Sequence, residues 1–177
     1  MSLNLGLLLL RLAFGIAIAG HGSQKLFGWF DGHGLQGTGR IFEGHGFRPG
    51  LPFAAAAAVS EFAGGILMAL GLFTPFGSAA VVAAMLVAMF SVHLKSKFFA
   101  MANGMEFPFL YAAAGVSVAF TGAGTYSCDA AMGWGFVNDA YIVSGTLLLS
   151  VLAAFGTLAL RKQTPERAAA QGLPSDR

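Results

Sequence analysis

The chain has 177 residues, 56% of them hydrophobic and 10% charged, where a soluble domain carries about 25% charged residues. That balance excludes an ordinary soluble globule, and a formal net charge of +2 with no basic stripe excludes a nucleic-acid surface. Cys128 is the single cysteine, so an internal disulfide, a CxxC redox pair and a thiolate-rich metal site are excluded as well.

In chain order, apolar segments cover residues 3–20, 53–73, 76–94, 107–124 and 140–160. Each approaches the ~20 residues that cross a ~30 Å hydrocarbon core as a helix. This predicts an all-α membrane protein with five transmembrane helices in one domain, residues 1–160. The first segment ends on Ala17-Ile18-Ala19, which looks like a cleavage site, but it lacks a basic n-region and contains Arg11, so it reads as a span. Residues 21–52 are too polar and Gly-rich to cross; within them Ile41, Phe42 and Phe47 lie between Arg40, Glu43 and His45, the pattern of a short interfacial helix. Thr74-Pro75 separates the second and third segments, and the proline forces a tight antiparallel hairpin. The fourth segment is short and Gly-rich, with a tilted or re-entrant course as the alternative to a full crossing. Residues 161–177 have no apolar period and predict a flexible cytoplasmic tail without chemistry.

Five crossings put the N-terminus, Thr74-Pro75 and residues 125–139 on one side, with no Lys or Arg among them. The other side receives Lys25, Arg40, Arg48, Lys95, Lys97, Arg161, Lys162, Arg167 and Arg177. The positive-inside rule makes that side cytoplasmic, so the N-terminus is outside and the C-terminus inside. Adding or removing one span would scatter the basic residues over both faces.

Ionisable residues in or at the ends of spans each cost several kcal/mol unless paired or hydrated. Arg11 lies about eight residues into a span entering from outside and Glu61 about eight into one entering from inside, so both sit ~12 Å deep and are expected to meet. Glu61, Gly64, Gly65 and Met68 form one helical face that two glycines open to a close neighbour. His21, Lys25, His93 and Glu106 fall at cytoplasmic ends, with His21 and Lys25 one turn apart, which predicts a polar pocket opening inward. Two readings compete: an Arg11–Glu61 pair that fixes helix register while the end residues snorkel, or a site for a ligand, quinone head group or proton. A metal site is disfavoured, since His21, Glu61, His93 and Glu106 show no helical ligand spacing. His33 and His45 read as exposed loop residues and Cys128 as incidental. Gly6, Gly15, Gly115, Gly145 and Gly156 read as helix-contact positions, not phosphate cradles.

Arg11 within Leu-Leu-Leu-Arg-Leu-Ala, followed by His21-Gly22-Ser23-Gln24-Lys25-Leu26-Phe27-Gly28, resembles the opening signature of the DoxX family. Ser60-Glu61-Phe62-Ala63-Gly64-Gly65, Leu70-Gly71-Leu72-Phe73-Thr74, Val92-His93 and Gly104-Met105-Glu106 extend the resemblance over roughly residues 5–130. The resemblance implies a small bacterial inner-membrane protein with a four-helix core, the fifth helix being a C-terminal addition. Relatives of that kind serve as a small subunit type associated with thiosulfate:quinone oxidoreductase and as membrane partners of oxidative-stress and thiol enzymes. A redox-linked subunit is thus implied, with quinone as the candidate cofactor and redox proteins docking on the cytoplasmic face. The family pattern selects Arg11, His21, Gln24, Lys25, Glu61, His93 and Glu106, the set that membrane energetics selects. Neither argument supplies a nucleophile with its base, so a non-catalytic anchor recruiting soluble enzymes stays open as the alternative. A transporter is disfavoured by the lack of an inverted repeat.

Overall fold

A computed structural model describes residues 2–93 and 98–162; Lys95, Lys97 and most of the predicted tail, residues 163–177, lie outside the described residues. The described chain is helical and contains no strand. The elements are α1 (Ser2–Phe27), α2 (Gly34–Gly44), α3 (Gly50–Leu70), α4 (Thr74–Ala88), α5 (Glu106–Thr121), a short α6 (Cys128–Ala131) and α7 (Ala140–Ala159). A π-helical turn, Met89–His93, continues α4, and 3-10 turns lie at Ala100–Ala102 and Gly135–Asn138. Four helices are long and apolar enough to cross a membrane: α1, α3, α4 with its π turn, and α7. The shorter α5, at 16 residues, spans only ~24 Å.

The first helix extends past Gly20, where the sequence predicts its end, to Phe27. Gly22 and Ser23 are weak helix formers, but both are buried and packing overrides propensity. A Cβ on Gly22 would come within 2.3 Å of the Phe62 backbone nitrogen, and the Ser23 hydroxyl donates to the Gly20 carbonyl at 2.7 Å. His21, Gln24 and Lys25 therefore stand on a rigid helix, in keeping with the one-turn spacing of His21 and Lys25.

The α3 face predicted to be interior is buried at Glu61, Gly64, Gly65 and Met68. Its two glycines admit different neighbours. A Cβ on Gly65 would lie 2.6 Å from Ala19 of α1, and one on Gly64 would lie 3.0 Å from the Gly77 carbonyl of α4. The carboxylate one turn earlier is thereby wedged between two helices. By contrast, a Cβ added at Gly6, Gly145 or Gly156 would meet nothing within 4 Å, so the expectation that they are contact positions fails for the described residues, whereas Gly15 and Gly115 do face neighbours.

Helix α4 is the centre of the bundle, packing on α3, α5 and α7. In its most apolar stretch 56% of residues are buried, against 17% in α7, so α7 is peripheral and presents most of its surface outward. Leu148, Leu149, Leu152 and Phe155 are exposed there, as hydrocarbon-facing residues must be.

Candidate functional site: two polar ends and two adjoining cavities

Both ends of the bundle hold buried charge, and they use it differently. At the end that carries Asn4, the α3–α4 turn and residues 122–138, Arg11 is fully buried. Its Nη2 donates to the Tyr126 carbonyl at 2.6 Å and its Nη1 to the Ala69 carbonyl at 3.3 Å, with Asp129 as the facing negative charge. The Asp129 carboxylate accepts from the Phe73 and Thr74 amides at 2.8 and 3.0 Å and from the Thr74 hydroxyl at 2.6 Å. It satisfies orphan donors at the start of α4 and holds Phe73 in a left-handed conformation, φ 45°, that disfavours a side-chain-bearing residue. Gly71, φ 62°, closes α3, and a Cβ there would strike Arg11 Nη1 at 2.0 Å. Arg11 and Glu61 do not meet. Arg11 turns toward the carbonyls exposed where α3 ends, and the carboxylate finds a cation nearer to it.

That cation is Lys25, whose Nζ is paired with Glu61 Oε2. The two stand on the contacting faces of α1 and α3. Lys25 is 31% exposed in its side chain and Glu61 2%, so the carboxylate is desolvated while the ammonium keeps one side open. Arg11 lies 14 positions before Lys25 on α1, ~21 Å along the axis, and has no part in this cluster.

Two cavities adjoin the pair. The first, about 260 Å³, lies between α1, α3, α4 and α5, with Ala100, Asn103 and Gly104 along one side; its polar lining is His21, Lys25, Glu61, His93, Asn103 and Tyr111. The second, about 340 Å³, lies beneath α2 and is lined by Gln24, Asp31, His33, Thr38 and Ser91 among others. Lys25, Glu61, Ala88 and His93 belong to both walls.

Hydrogen bonds set the imidazole tautomers. His93 Nδ1 lies 2.7 Å from the Asn103 carbonyl, which can only accept, so Nδ1 carries the proton. Gln24 donates its amide to the Phe30 carbonyl at 3.2 Å, leaving its oxygen for His21 Nδ1 at 3.2 Å. Each ring, when neutral, thus presents Nε2 as an acceptor. Tyr111 stacks edge-on against His21, centroids 5.7 Å apart. The first cavity combines donors, Lys25 and Tyr111, with acceptors, the two Nε2 atoms and Glu61.

Of the seven residues singled out in the sequence, His21, Lys25, Glu61 and His93 line the first cavity, and Gln24 lines the second and orients His21. Glu106 is not in either wall; its Oε2 accepts from the Ala100 amide at 2.8 Å and shapes the segment along one side of the first cavity. Tyr111 was not identifiable from sequence, because an aromatic in an apolar helix carries no signal of its own. Asp129 was legible only as an acidic loop residue. Among the described residues no three His, Cys, Asp or Glu side chains gather as a metal site.

The π turn that delivers His93 is tied to the fifth helix. Arg161 Nη1 and Nη2 reach the Phe90 and Ser91 carbonyls at 3.5 and 3.3 Å, and Nε donates to the His45 carbonyl at 2.9 Å. The Lys162 amide donates to the Gly46 carbonyl at 2.8 Å. Arg161 and Lys162, expected to belong to a free tail, are therefore tied to the bundle: a guanidinium at a helix end is well suited to carbonyls that a π turn leaves poorly paired.

Fold and cavities define a small multi-pass helical membrane protein with buried charge at both ends of the bundle and two adjoining cavities around the Lys25–Glu61 pair at one of them. A family model for DoxX matches residues 6–94, half of the chain, and the chain belongs to the DoxX family. It is also 37% identical over 83 residues to an uncharacterized protein of Haemophilus influenzae, an alignment that covers 45% of this chain and 62% of that protein. The matched region thus spans less than two-thirds of that relative's length. No solved structure matches the chain. The family match includes Arg11, His21, Gln24, Lys25, Glu61 and His93, but neither Tyr111 nor Glu106.

Proposed function

We propose that the chain is the membrane subunit of a redox-linked system, holding the head group of a quinone or a similarly sized polar ring in the first cavity. The observation that carries this reading is the placement of the buried Glu61 carboxylate, its Lys25 partner and two imidazoles around one cavity at the end of a membrane-spanning bundle. Intramembrane ionisable groups are costly and mark ligand or proton sites. At about 260 Å³ the cavity lies just under the ~300–1,000 Å³ of small-molecule sites, so a head group fits and an apolar tail would extend into lipid. Lys25 and Tyr111 suit carbonyl oxygens, and the imidazole Nε2 atoms and Glu61 suit hydroxyls; the residues fit both oxidation states of a quinone. When bound, such a group would carry electrons and protons, while Lys25, Glu61 and the imidazoles orient it and hold protons beside it.

The second reading, an anchor that recruits soluble enzymes, is favoured by Arg11 and Arg161, which show that this chain also uses buried charge to hold helices together. Under either reading the basic end faces the cytoplasm of a bacterial inner membrane by the positive-inside rule, which puts any protein partner beside the cavities.

The test is a mass-spectrometric and spectroscopic inventory of quinone, flavin, haem and metal in detergent-purified protein, wild type against Glu61→Gln and His93→Ala. A stoichiometric quinone lost in either variant supports the redox-site reading. Three equally folded, empty proteins overturn it in favour of the anchor.

A further inference from the structure

The second cavity has no role in holding a head group, yet it shares a wall with the first. Its lining grades from exposed polar residues, Asp31 and His33 on the α1–α2 connection, to Thr38 and Ser91, 5% and 6% exposed. The gradient ends at Glu61, 2% exposed. A cavity lined only by Leu, Ile and Phe stays dry, whereas one with several polar partners and room for waters of ~30 Å³ each does not; about 340 Å³ gives that room. The titratable groups that share a cavity with Glu61 are His21 and Lys25 from α1, His93 from the π turn and Tyr111 from α5, with Asp31 and His33 further out along the second cavity.

We propose that the second cavity is a hydrated antechamber, roofed by α2, that connects the Lys25–Glu61 pair to the aqueous surface and admits protons to the ligand cavity from the side opposite the ligand. The chemistry is acid–base only. A Lys25 N–H bond breaks as an O–H bond forms on an anionic ligand oxygen. The neutral amine then takes a proton from hydronium in the antechamber, leaving water, so that one proton enters from the aqueous surface for each one delivered and no electron moves in these steps. The proton-supply role rests on the ligand reading above, whereas hydration of the cavity does not.

The test uses cysteine accessibility in the full-length protein carrying Cys128→Ser. Ser91→Cys places a thiol on the antechamber wall; Ala114→Cys places one in the apolar cluster with Met68 and Val118. The native residues are 6% and 7% exposed, so burial alone predicts equal reactivity. The fixed-charge reagent 2-(trimethylammonium)ethyl methanethiosulfonate is added and adducts are followed by intact mass. Ser91→Cys is expected to react roughly tenfold faster or more, the margin between a hydrated wall and a packed core, and Thr38→Trp, which fills the antechamber, should return it to the Ala114→Cys rate. Equal rates at the two positions, or indifference to Thr38→Trp, overturn the proposal. Should Ser91→Cys not fold, Ala84→Cys, which lines the same cavity and is 7% exposed like Ala114, takes its place with the same two outcomes. No ligand is used, so an empty first cavity and a dry second cavity are separate results.

Discussion

The two ends of the bundle start from similar materials, a cation and a buried carboxylate, and build different things. At the Arg11 end the charges are spent mainly on backbone: the Ala69 carbonyl at the end of α3, the Tyr126 carbonyl and the amides at the start of α4. At the Lys25 end the charges pair with each other and line two cavities together with His21 and His93, whereas the cavity of about 430 Å³ at the Arg11 end meets Asp129 and no other ionisable residue. The lesson is that a buried ionisable residue in a membrane helix does not announce its role; what surrounds it does. The Arg11 and Asp129 side chains reach the end of α3 and the start of α4, where carbonyls or amides lack partners. Glu61 sits mid-helix, where the backbone is already satisfied, so its carboxylate is left to side chains and ligands.

This contrast can be broken by mutation, beginning with the largest effect. Asp129→Ala strips three hydrogen bonds from the α3–α4 turn and leaves Arg11 facing no carboxylate. Its expected cost is about 3–5 kcal/mol, the range for removing one member of a buried charged group, read as a loss of thermal stability in detergent on the order of 10 °C. Arg161→Met should cost less, about 1–3 kcal/mol for the bonds it makes. It should also shift the His93 ring resonances in NMR, since the π turn loses its clamp, while Arg161→Lys restores stability better than the resonances because a lysine cannot fork across two carbonyls. Glu61→Gln is isosteric, and Lys25 is open enough to find water, so thermal stability should fall by under ~1 kcal/mol while any bound head group is lost. If Glu61→Gln destabilises as much as Asp129→Ala, the two ends are alike and the cavity end is structural too.

The smallest perturbation concerns sidedness. Cys128 stands at the Arg11 end as the chain's single cysteine, so an impermeant maleimide applied to intact cells should label it without any substitution if the basic, cavity-bearing end is cytoplasmic. Labelling only after lysis would invert the orientation and move the cavities to the other face.

Much of the scaffold was legible in the chain. Hydropathy placed five apolar helices, because a membrane span must satisfy its own backbone and so writes its length into the sequence. The Glu61-Gly64-Gly65-Met68 face was readable from 3.6-residue periodicity, and Thr74-Pro75 gave the hairpin. The one-turn spacing of His21 and Lys25 was readable as a helix face, but what holds that turn was not, since Gly20, Gly22 and Ser23 are weak helix formers and contact with α3 supports them. Arg161 was read as tail for the same reason: its partners, the carbonyls of a π turn and of His45, exist only once the helices are assembled.

By itself, then, the sequence determined that this chain is a helical membrane protein, which residues are too polar to face lipid, and which end carries the basic charge, all consequences of transferring individual groups out of water. Tertiary structure alone decided which charges pair. Coulomb attraction and desolvation depend on distances across helices, and the ~21 Å between Arg11 and Lys25 along one helix is enough to send Glu61 to Lys25, Arg11 to the backbone, and the two cavities to one end.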